Sequence, residues 1–314
     1  MTEHKVNFFF VGFPKSGSTT FYYLLKSHPE IFAPSIKELN YFNSDHNREF
    51  KKHLGDNYFQ LASSEEEYSR FSQGGEDKIK GDFNPIYIFS EEAPENIYHY
   101  NPAAKILISV REPVSFLRSF HFQSLYNMIE DEPDFLKALQ LEESRRLGQN
   151  IPEYCHNPFY LFYTSLVTYK RHIKRYTDIF GFDNVKIILF DDILRDEYTL
   201  YQEVLHFLKI KDIEFIPPKV DINSSHALRF ARLRQFVFTP PIKKWLYTKT
   251  PQKLLPVGAM ISQRLFKKAQ EKPFVSKTDV QQLKLRFRSN VDDLSSFLSE
   301  TNLMNRDLAD LWDY

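Results

Sequence analysis

Residues 6–20 read Val-Asn-Phe-Phe-Phe-Val-Gly-Phe-Pro-Lys-Ser-Gly-Ser-Thr-Thr, and this stretch decides the fold. The apolar run at residues 6–11 predicts a short buried strand. The apolar residues at positions 21–25 predict a helix that ends near Pro29. A strand, a glycine-bearing loop and a helix in this order are typical of the opening unit of nucleotide-binding α/β domains.

Two further apolar runs, Lys105–Val110 and residues 185–190, are continuous rather than alternating, as in buried strands of a parallel sheet. Helical patterns separate and follow the strands. They are expected at about residues 114–129, 135–147, 159–180, 198–208 and 279–298. This alternation predicts an α/β fold, a P-loop-like three-layer sandwich with a central parallel sheet. We expect the whole chain, residues 1–314, to form a single domain.

The charges balance, with 41 Lys and Arg against 41 Asp and Glu, which argues against a general nucleic-acid binder. They are unevenly spread, because residues 219–290 carry 16 basic against 3 acidic residues. Prolines interrupt residues 236–268, so we expect short helices there, forming a basic cover segment over the domain. Such a segment suggests a local role that involves an anion.

The single cysteine, Cys155, allows neither an internal disulfide nor a cysteine-based zinc cluster. No apolar run reaches the length of a membrane span, and the first residues lack the layout of a signal peptide. We therefore expect a cytoplasmic protein. The basic, aromatic stretch around Trp245 is suited to peripheral contact with a membrane surface.

The loop at residues 12–20 has the chemistry of a phosphate site. Free N–H groups at a helix N-terminus bind anions, and a lysine and several hydroxyls add donors. The residues expected to hold the phosphate are Lys15, Ser16, Gly17, Ser18, Thr19 and Thr20. This is not a Walker A loop, in which lysine directly follows the second glycine, because Ser18 stands at that position.

The loop resembles the 5′-phosphosulfate loop of sulfotransferases that use 3′-phosphoadenosine 5′-phosphosulfate (PAPS). A second block agrees with this resemblance. Arg111-Glu-Pro follows a strand, and Ser119 comes eight residues after the arginine, as in the family's 3′-phosphate motif. A guanidinium fork and a hydroxyl suit a phosphate dianion. The resemblance implies PAPS as the sulfuryl donor, with no metal.

Other segments are similar to the carbohydrate and heparan-type branch of this family, in a soluble, bacterial-like form. They include His28-Pro29 followed by Lys37-Glu38, residues 176–192, and residues 305–312. The resemblance covers most of the chain except about residues 43–78 and 120–155. It implies sulfuryl transfer to a hydroxyl or amine on a small molecule, glycan or lipid.

Transfer of this kind needs a cation on the leaving 5′-phosphate and a base for the acceptor proton. Lys15 is expected to be the cation. For the base, the resemblance favours Glu38, which occupies the acidic position after the first helix. His121 is the rival, because imidazole titrates near neutrality, and His46 is a weaker third choice.

The sequence departs from the family pattern at one position. Phe83 stands where the family often has a lysine near the reacting sulfate. Lys80 is out of register with that position, and Asn84 could still donate a hydrogen bond. The cation could instead come from the basic segment, where Arg229 is expected near the cofactor. Arg232 and Lys272 are further candidates for contacting the phosphates or an anionic acceptor.

Two other functions are left open by the sequence. One is a P-loop kinase of a small molecule, against which the missing Walker lysine argues. The other is a non-catalytic scaffold that binds PAPS or its product 3′-phosphoadenosine 5′-phosphate (PAP), which the loss of a lysine at Phe83 favours. Binding of PAP rather than of ATP with Mg²⁺ would separate the kinase from the other two.

Overall fold

The computed structural model describes residues 5–55, 60–75, 77–211, 214–218, 226–228, 267–269 and 275–314. Five parallel strands form its central sheet, in the spatial order β2-β3-β1-β4-β5. They are β1 (Phe8–Phe10), β2 (Ile31–Phe32), β3 (Ile79–Phe83), β4 (Lys105–Val110) and β5 (Val185–Leu189). Phe10, at the carboxyl end of β1, pairs with Phe83 on one side and Leu107 on the other.

Helices connect and flank these strands. The first six are α1 (Ser18–Ser27), α2 (Ser44–Leu54), α3 (Glu65–Phe71), α4 (Ala93–Tyr100), α5 (Pro113–Tyr126) and α6 (Phe135–Gln140). The others are α7 (Glu142–Arg146), α8 (Tyr163–Leu166), α9 (Tyr169–Phe180), α10 (Phe190–Arg195), α11 (Glu197–Phe207), α12 (Lys277–Glu300) and α13 (Leu308–Leu311). Short 3₁₀ turns occupy Pro85–Phe89, Pro158–Leu161 and Phe182–Asn184.

The core lies on both faces of the sheet, because successive strand residues point to opposite sides. In β1, Phe8 and Phe10 pack against α1 and α11, whereas Phe9 packs into a larger cluster with residues of α4, α5, α9 and α12. All three phenylalanine side chains are fully buried. This arrangement confirms the predicted three-layer α/β sandwich, with a parallel sheet between two layers of helices.

Two of the five strands were not predicted. β2 has only two residues, and β3 has the sequence Ile-Lys-Gly-Asp-Phe, which lacks an apolar run. Its polar side chains are buried with partners from outside the strand. Lys80 donates to the Ser72 carbonyl, and Asp82 accepts from Tyr68. Tertiary contacts therefore stabilise a strand that local composition does not favour.

The expected helix at 159–180 is interrupted. A 3₁₀ turn, α8 and α9 replace it, with non-helical backbone at Phe162 and Thr168. The helix expected at 135–147 is likewise divided into α6 and α7 at Leu141. The strands at Lys105–Val110 and residues 185–190 are present, which confirms those predictions.

The expectation of short helices in the basic segment stays a prediction, because most of that segment lies outside the described residues and only a few of its residues are described. There, β6 (His226–Leu228) and β7 (Lys267–Ala269) form an antiparallel pair, and α12 begins at Lys277. A strand thus contains two residues of the segment for which helix was expected. An antiparallel partner satisfies the backbone of this short strand. The remainder of residues 219–274 lies outside the described part of the chain.

Candidate active site

The phosphate loop, residues 11–17, joins β1 to α1 at the carboxyl edge of the sheet. It is held to β4, because Val11 N–H donates to the Leu107 carbonyl and Phe13 N–H donates to the Ser109 carbonyl, both at 3.0 Å. The first N–H groups of α1, like those of any helix, have no partner within the helix. They carry partial positive charge, which suits an anion.

Gly17 is required by the turn into α1. Its φ of 90° lies in the left-handed region, which residues with a Cβ rarely adopt. A Cβ added here would lie 2.2 Å from Cδ1 of Ile193 in α10. Lys15, also at positive φ, is exposed at the top of the loop. A larger residue at position 17 would therefore strain the loop backbone and force the Ile193 side chain to move.

Hydroxyl groups line the start of α1. Ser16 and Ser18 are buried, whereas Thr19 and Thr20 are partly exposed. Ser16 Oγ lies 3.4 Å from the Pro14 carbonyl, a long hydrogen bond within the loop. Thr19 Oγ1 accepts a hydrogen bond from Lys37 at 3.1 Å. The loop thus offers two partly exposed threonine hydroxyls beside the helix N-terminus.

Arg111 brings the second predicted phosphate block to the loop. It follows β4 directly, and its Nη1 donates to the Lys15 carbonyl at 2.9 Å, across 96 positions of sequence. Its guanidinium stacks on the Phe190 ring, 4.3 Å from the centroid. Burial is the main effect on Arg111 and lowers its pKa from the usual value. A bound anion would reverse that effect.

Glu112 forms no ion pair with Arg111 within the described residues. Its carboxylate instead caps α5, accepting from the N–H groups of Val114 and Ser115. Ser119, the other residue of the predicted 3′-phosphate motif, lies two turns into α5 and is 3% exposed. The same helix therefore starts beside Arg111 and carries Ser119.

Glu38 lies at the carboxyl end of β3. Its N–H donates to the Phe83 carbonyl at 3.2 Å, and its side chain is exposed. Since Phe83 pairs with Phe10, which immediately precedes the phosphate loop, Glu38 is held close to the mouth of that loop. Lys37, its neighbour in sequence, contacts Thr19 directly.

Phe83 is fully buried. The two neighbours considered as substitutes for the family lysine, Lys80 and Asn84, both make other contacts. The Phe83 ring packs edge-on against Phe8 and Tyr22, with centroids at 5.6 and 5.3 Å. The buried ammonium of Lys80 donates to the Ser72 carbonyl, near the opposite end of β3. The Asn84 amide donates to Oδ1 of Asn40 at 3.0 Å.

The two histidine candidates are buried away from these contacts. Nε2 of His121 lies 2.9 Å from the Glu132 carbonyl, and Nδ1 of His46 lies 2.9 Å from the Tyr160 hydroxyl. In both, burial is the main cause of a lowered pKa. Buried histidines with lowered pKa values stay neutral at physiological pH.

Lys37 is the residue that sequence reasoning overlooked. From the sequence, Lys37 has no role beyond its place in the Lys37-Glu38 pair. Only the fold shows that this lysine reaches the first turn of α1. Three further candidates, Arg229, Arg232 and Lys272, lie outside the described residues, as does the stretch around Trp245. β6, which ends one residue before Arg229, lies beside α5.

In the described part of the chain, no cluster of three or more His, Cys, Asp or Glu side chains is arranged to hold a metal. No described helix combines the length and apolar character needed to cross a bilayer. The groups that converge at the carboxyl edge are thus cations, hydroxyls and one exposed carboxylate. Such a set is suited to binding anions and accepting a proton.

Comparison with known proteins relates the chain to sulfotransferases. Mouse heparan sulfate glucosamine 3-O-sulfotransferase 5 is 25% identical over 231 residues, covering 72% of this chain and 57% of the mouse protein. The membrane-associated sulfotransferase kil1 of Dictyostelium discoideum is 30% identical over 117 residues, covering 37% of this chain and 22% of that protein. The chain therefore spans little more than half the length of the heparan sulfate relative.

The crystal structure of a sulfotransferase from Alicyclobacillus acidocaldarius has the same fold. It superimposes with a TM-score of 0.59 at 27% sequence identity, covering 78% of this chain and 95% of the bacterial one. The sulfotransferase domain profile matches residues 5–239, which contain the phosphate loop and the Arg111 block. The chain belongs to the sulfotransferase domain family.

Proposed function

We propose that this protein transfers the sulfuryl group of PAPS to a hydroxyl or amine acceptor. One observation carries the proposal: the guanidinium of Arg111 donates to the carbonyl of Lys15. The two blocks proposed to bind anions are far apart in sequence and meet at adjacent strand ends. A donor with phosphates at both its 5′ and 3′ positions needs two such blocks.

The donor's two phosphates are assigned to different residues. Lys15, the N–H groups of the loop and the hydroxyls of Ser18, Thr19 and Thr20 bind the 5′-phosphosulfate. Ser16 and Gly17 shape the loop around it. Arg111, Ser119 and, from the basic segment, Arg229 bind the 3′-phosphate. The left-handed Gly17 and the partly desolvated Arg111 fit this donor, since both favour close approach of an anion.

The reaction is an in-line displacement at sulfur. The acceptor oxygen or nitrogen forms a bond to sulfur as the bond from sulfur to the 5′-phosphate oxygen breaks. The bonding electron pair stays on the 5′-phosphate of PAP, where the Lys15 ammonium neutralises the added charge. Glu38 takes the acceptor proton. Its exposed carboxylate at the loop mouth supports this role over the buried His121.

The acceptor class is proposed from the relatives. Two of them are named as heparan sulfate glucosamine 3-O-sulfotransferases, so glycans are the first acceptors to screen. Lipids, phenols and alkyl alcohols follow. We further propose that residues 1–314 form one domain. The apolar face of α12, beyond the matched region, supports this, because Leu283, Phe287 and Val291 pack into the main core.

The cellular location also remains a proposal. We favour a cytoplasmic protein with peripheral membrane contact through the basic segment, and the name of the kil1 relative supports the membrane contact. Co-sedimentation with anionic and neutral vesicles tests it. Binding to anionic vesicles that weakens at high salt is expected, and equal binding to both kinds would contradict it.

Thermal shift with nucleotides tests the function. PAP should raise the melting temperature, because a ligand that binds only the folded state stabilises it. ATP with Mg²⁺ should not, and a reversed preference would favour a kinase. If neither nucleotide raises the melting temperature, the assignment of residues 11–17 as a phosphate-binding loop is rejected.

Turnover of PAPS with the best acceptor then separates an enzyme from a scaffold. Lys15→Ala should lower kcat by roughly a hundred- to thousand-fold, the usual effect of removing one group that stabilises developing charge. Arg171→Ala, at an exposed position on α9, is the matched control and should keep normal turnover. Near-normal kcat in Lys15→Ala would reject its role, and no turnover in the wild type would favour the scaffold.

A further inference from the structure

Lys37 is placed by contacts that reach the phosphate loop. Its ammonium donates to Oγ1 of Thr19, in the first turn of α1, at 3.1 Å. The same ammonium lies over the ring of Tyr22, 5.4 Å from the centroid. The stem of the side chain therefore follows the surface of α1 toward its N-terminus.

This placement is electrostatically unfavourable unless an anion is bound. A helix N-terminus carries partial positive charge, so a cation beside it is repelled. Burial is the main effect on Lys37 and lowers its pKa, while the charge of Glu38 opposes that shift. No carboxylate forms an ion pair with Lys37 within the described ranges. An anion at the start of α1 would balance the charges of both the lysine and the helix.

Lys37 is also the immediate sequence neighbour of the proposed base. Glu38 follows it in sequence and is held by the Phe83 carbonyl. Thr19, which Lys37 contacts, lies in the first turn of α1 and binds the 5′-phosphosulfate in the proposed function. Lys37 therefore directly precedes the proposed base in sequence, and its ammonium contacts a residue proposed to bind the donor, so we expect it near the path of the sulfuryl group.

We propose that Lys37 is a second catalytic cation, whose ammonium binds oxygens of the sulfuryl group while it moves from PAPS to the acceptor. Position 83 cannot provide this cation, since Phe83 is buried beneath α1. Lys37 stays protonated throughout. The acceptor proton goes to Glu38, and the electron pair of the broken sulfur–oxygen bond goes to PAP. This inference rests on the proposed function and adds a residue to it.

Binding of PAPS and PAP to Lys37→Met tests the proposal without any acceptor. The two nucleotides differ only in the sulfuryl group, so a residue that binds this group should affect only PAPS. We expect Lys37→Met to weaken PAPS binding about ten-fold or more, as for loss of a charged hydrogen bond. PAP binding should stay within two-fold, measured by calorimetry, and Lys37→Arg should recover most of the loss for PAPS.

Lys26→Met is the matched control. Lys26 also contacts Tyr22, with its ammonium 2.8 Å from the hydroxyl and 5.0 Å from the ring centroid, and burial lowers its pKa as well. It lies at the other end of α1, roughly 10 Å along the helix from Thr19. This variant should bind both nucleotides normally.

The outcomes separate the two proposals. If the wild type binds PAP and PAPS but Lys37→Met weakens both equally or neither, the role of Lys37 is rejected and the proposed function stands. If the wild type binds neither nucleotide, the proposed function fails and the role of Lys37 fails with it. A melting temperature close to that of the wild type shows that the variant is folded.

Discussion

At the level of single residues, Glu38 combines an unusual backbone with an exposed side chain. Its φ is 59°, and Asn40, two residues later, has a φ of 53°. Left-handed backbone costs about 1 kcal/mol or more for residues with a Cβ, and it persists where surrounding contacts enforce it. Here the hydrogen bond from Glu38 N–H to Phe83 enforces it. The tight turn keeps the carboxylate at the mouth of the phosphate loop.

Glu38→Gln tests whether this carboxylate is the base. Glutamine keeps the shape but cannot accept the acceptor proton, so turnover should fall by roughly a hundred-fold or more. PAP affinity should remain within a few-fold.

His121→Ala is the paired variant for this test. His121 is buried against the Glu132 carbonyl, so its substitution should lower stability more than turnover per folded molecule. If His121→Ala abolishes turnover in folded protein while Glu38→Gln does not, the roles are reversed. The acceptor would then have to enter from the side of α5.

At the level of elements, β3 shows what the sequence could and could not predict. β1, β4 and β5 are mostly apolar runs, so the local pattern was sufficient to predict them. β3 places Asp82 in the core, where Tyr68 and Tyr87 donate to the same carboxylate oxygen at 2.8 and 3.3 Å. Such partners come from distant segments and cannot be inferred from a local pattern.

The candidate site divides in the same way. The phosphate loop and the Arg111 block are contiguous motifs, so their chemistry could be predicted before their contact was known. Lys37 has no such motif, because its importance arises from a contact with Thr19 across a turn, β2 and a loop. The interruption of the expected helix at 159–180 likewise depends on packing rather than on periodicity.

Asp82 makes β3 sensitive to pH. Burial is the main effect and raises its pKa to about 6, although the two tyrosine hydroxyls oppose the shift. In the unfolded chain an aspartate has a pKa of about 3.9. The folded protein therefore holds this proton more tightly, and its stability should fall as pH rises from about 4 to about 6.

Asp82→Asn should remove that dependence, because asparagine does not titrate. The wild type should lose up to about 3 kcal/mol more unfolding free energy than the variant between pH 4 and pH 7. Urea unfolding at several pH values measures this difference. If the unfolding free energies of the two proteins change equally with pH, Asp82 is not the source of the pH dependence.

At the level of the whole molecule, residues 306–314 form hydrogen bonds with residues at the carboxyl edge of the sheet. Three side-chain contacts connect this segment to residues that directly follow β4 and β5. They are Arg306 with Asp192 at 2.6 and 2.7 Å, Trp312 with Asp191 at 3.0 Å, and Tyr314 with Glu112 at 2.6 Å. The site is thus supported by a segment outside the matched residues 5–239.

The contact between Arg306 and Asp192 is connected to the phosphate loop through α10. Asp192 belongs to α10, which also carries Phe190 and Ile193. Phe190 stacks on Arg111, and Ile193 occupies the space beside Gly17. Any shift of α10 would therefore disturb both proposed phosphate sites at once.

Arg306→Ala should consequently lower both stability and nucleotide affinity. Loss of a hydrogen-bonded charge pair of this kind typically costs about 1.5–3 kcal/mol in unfolding free energy, measured by urea titration. PAP binding should weaken several-fold, although Arg306 lies outside the proposed donor site. The control is Arg288→Ala on α12, whose ion pair with Asp292 is half-exposed at 3.6 Å, and it should change stability by less than about 0.5 kcal/mol. If Arg306→Ala destabilises the fold but binds PAP with unchanged affinity, the end of the chain stabilises the domain without positioning α10 for the nucleotide.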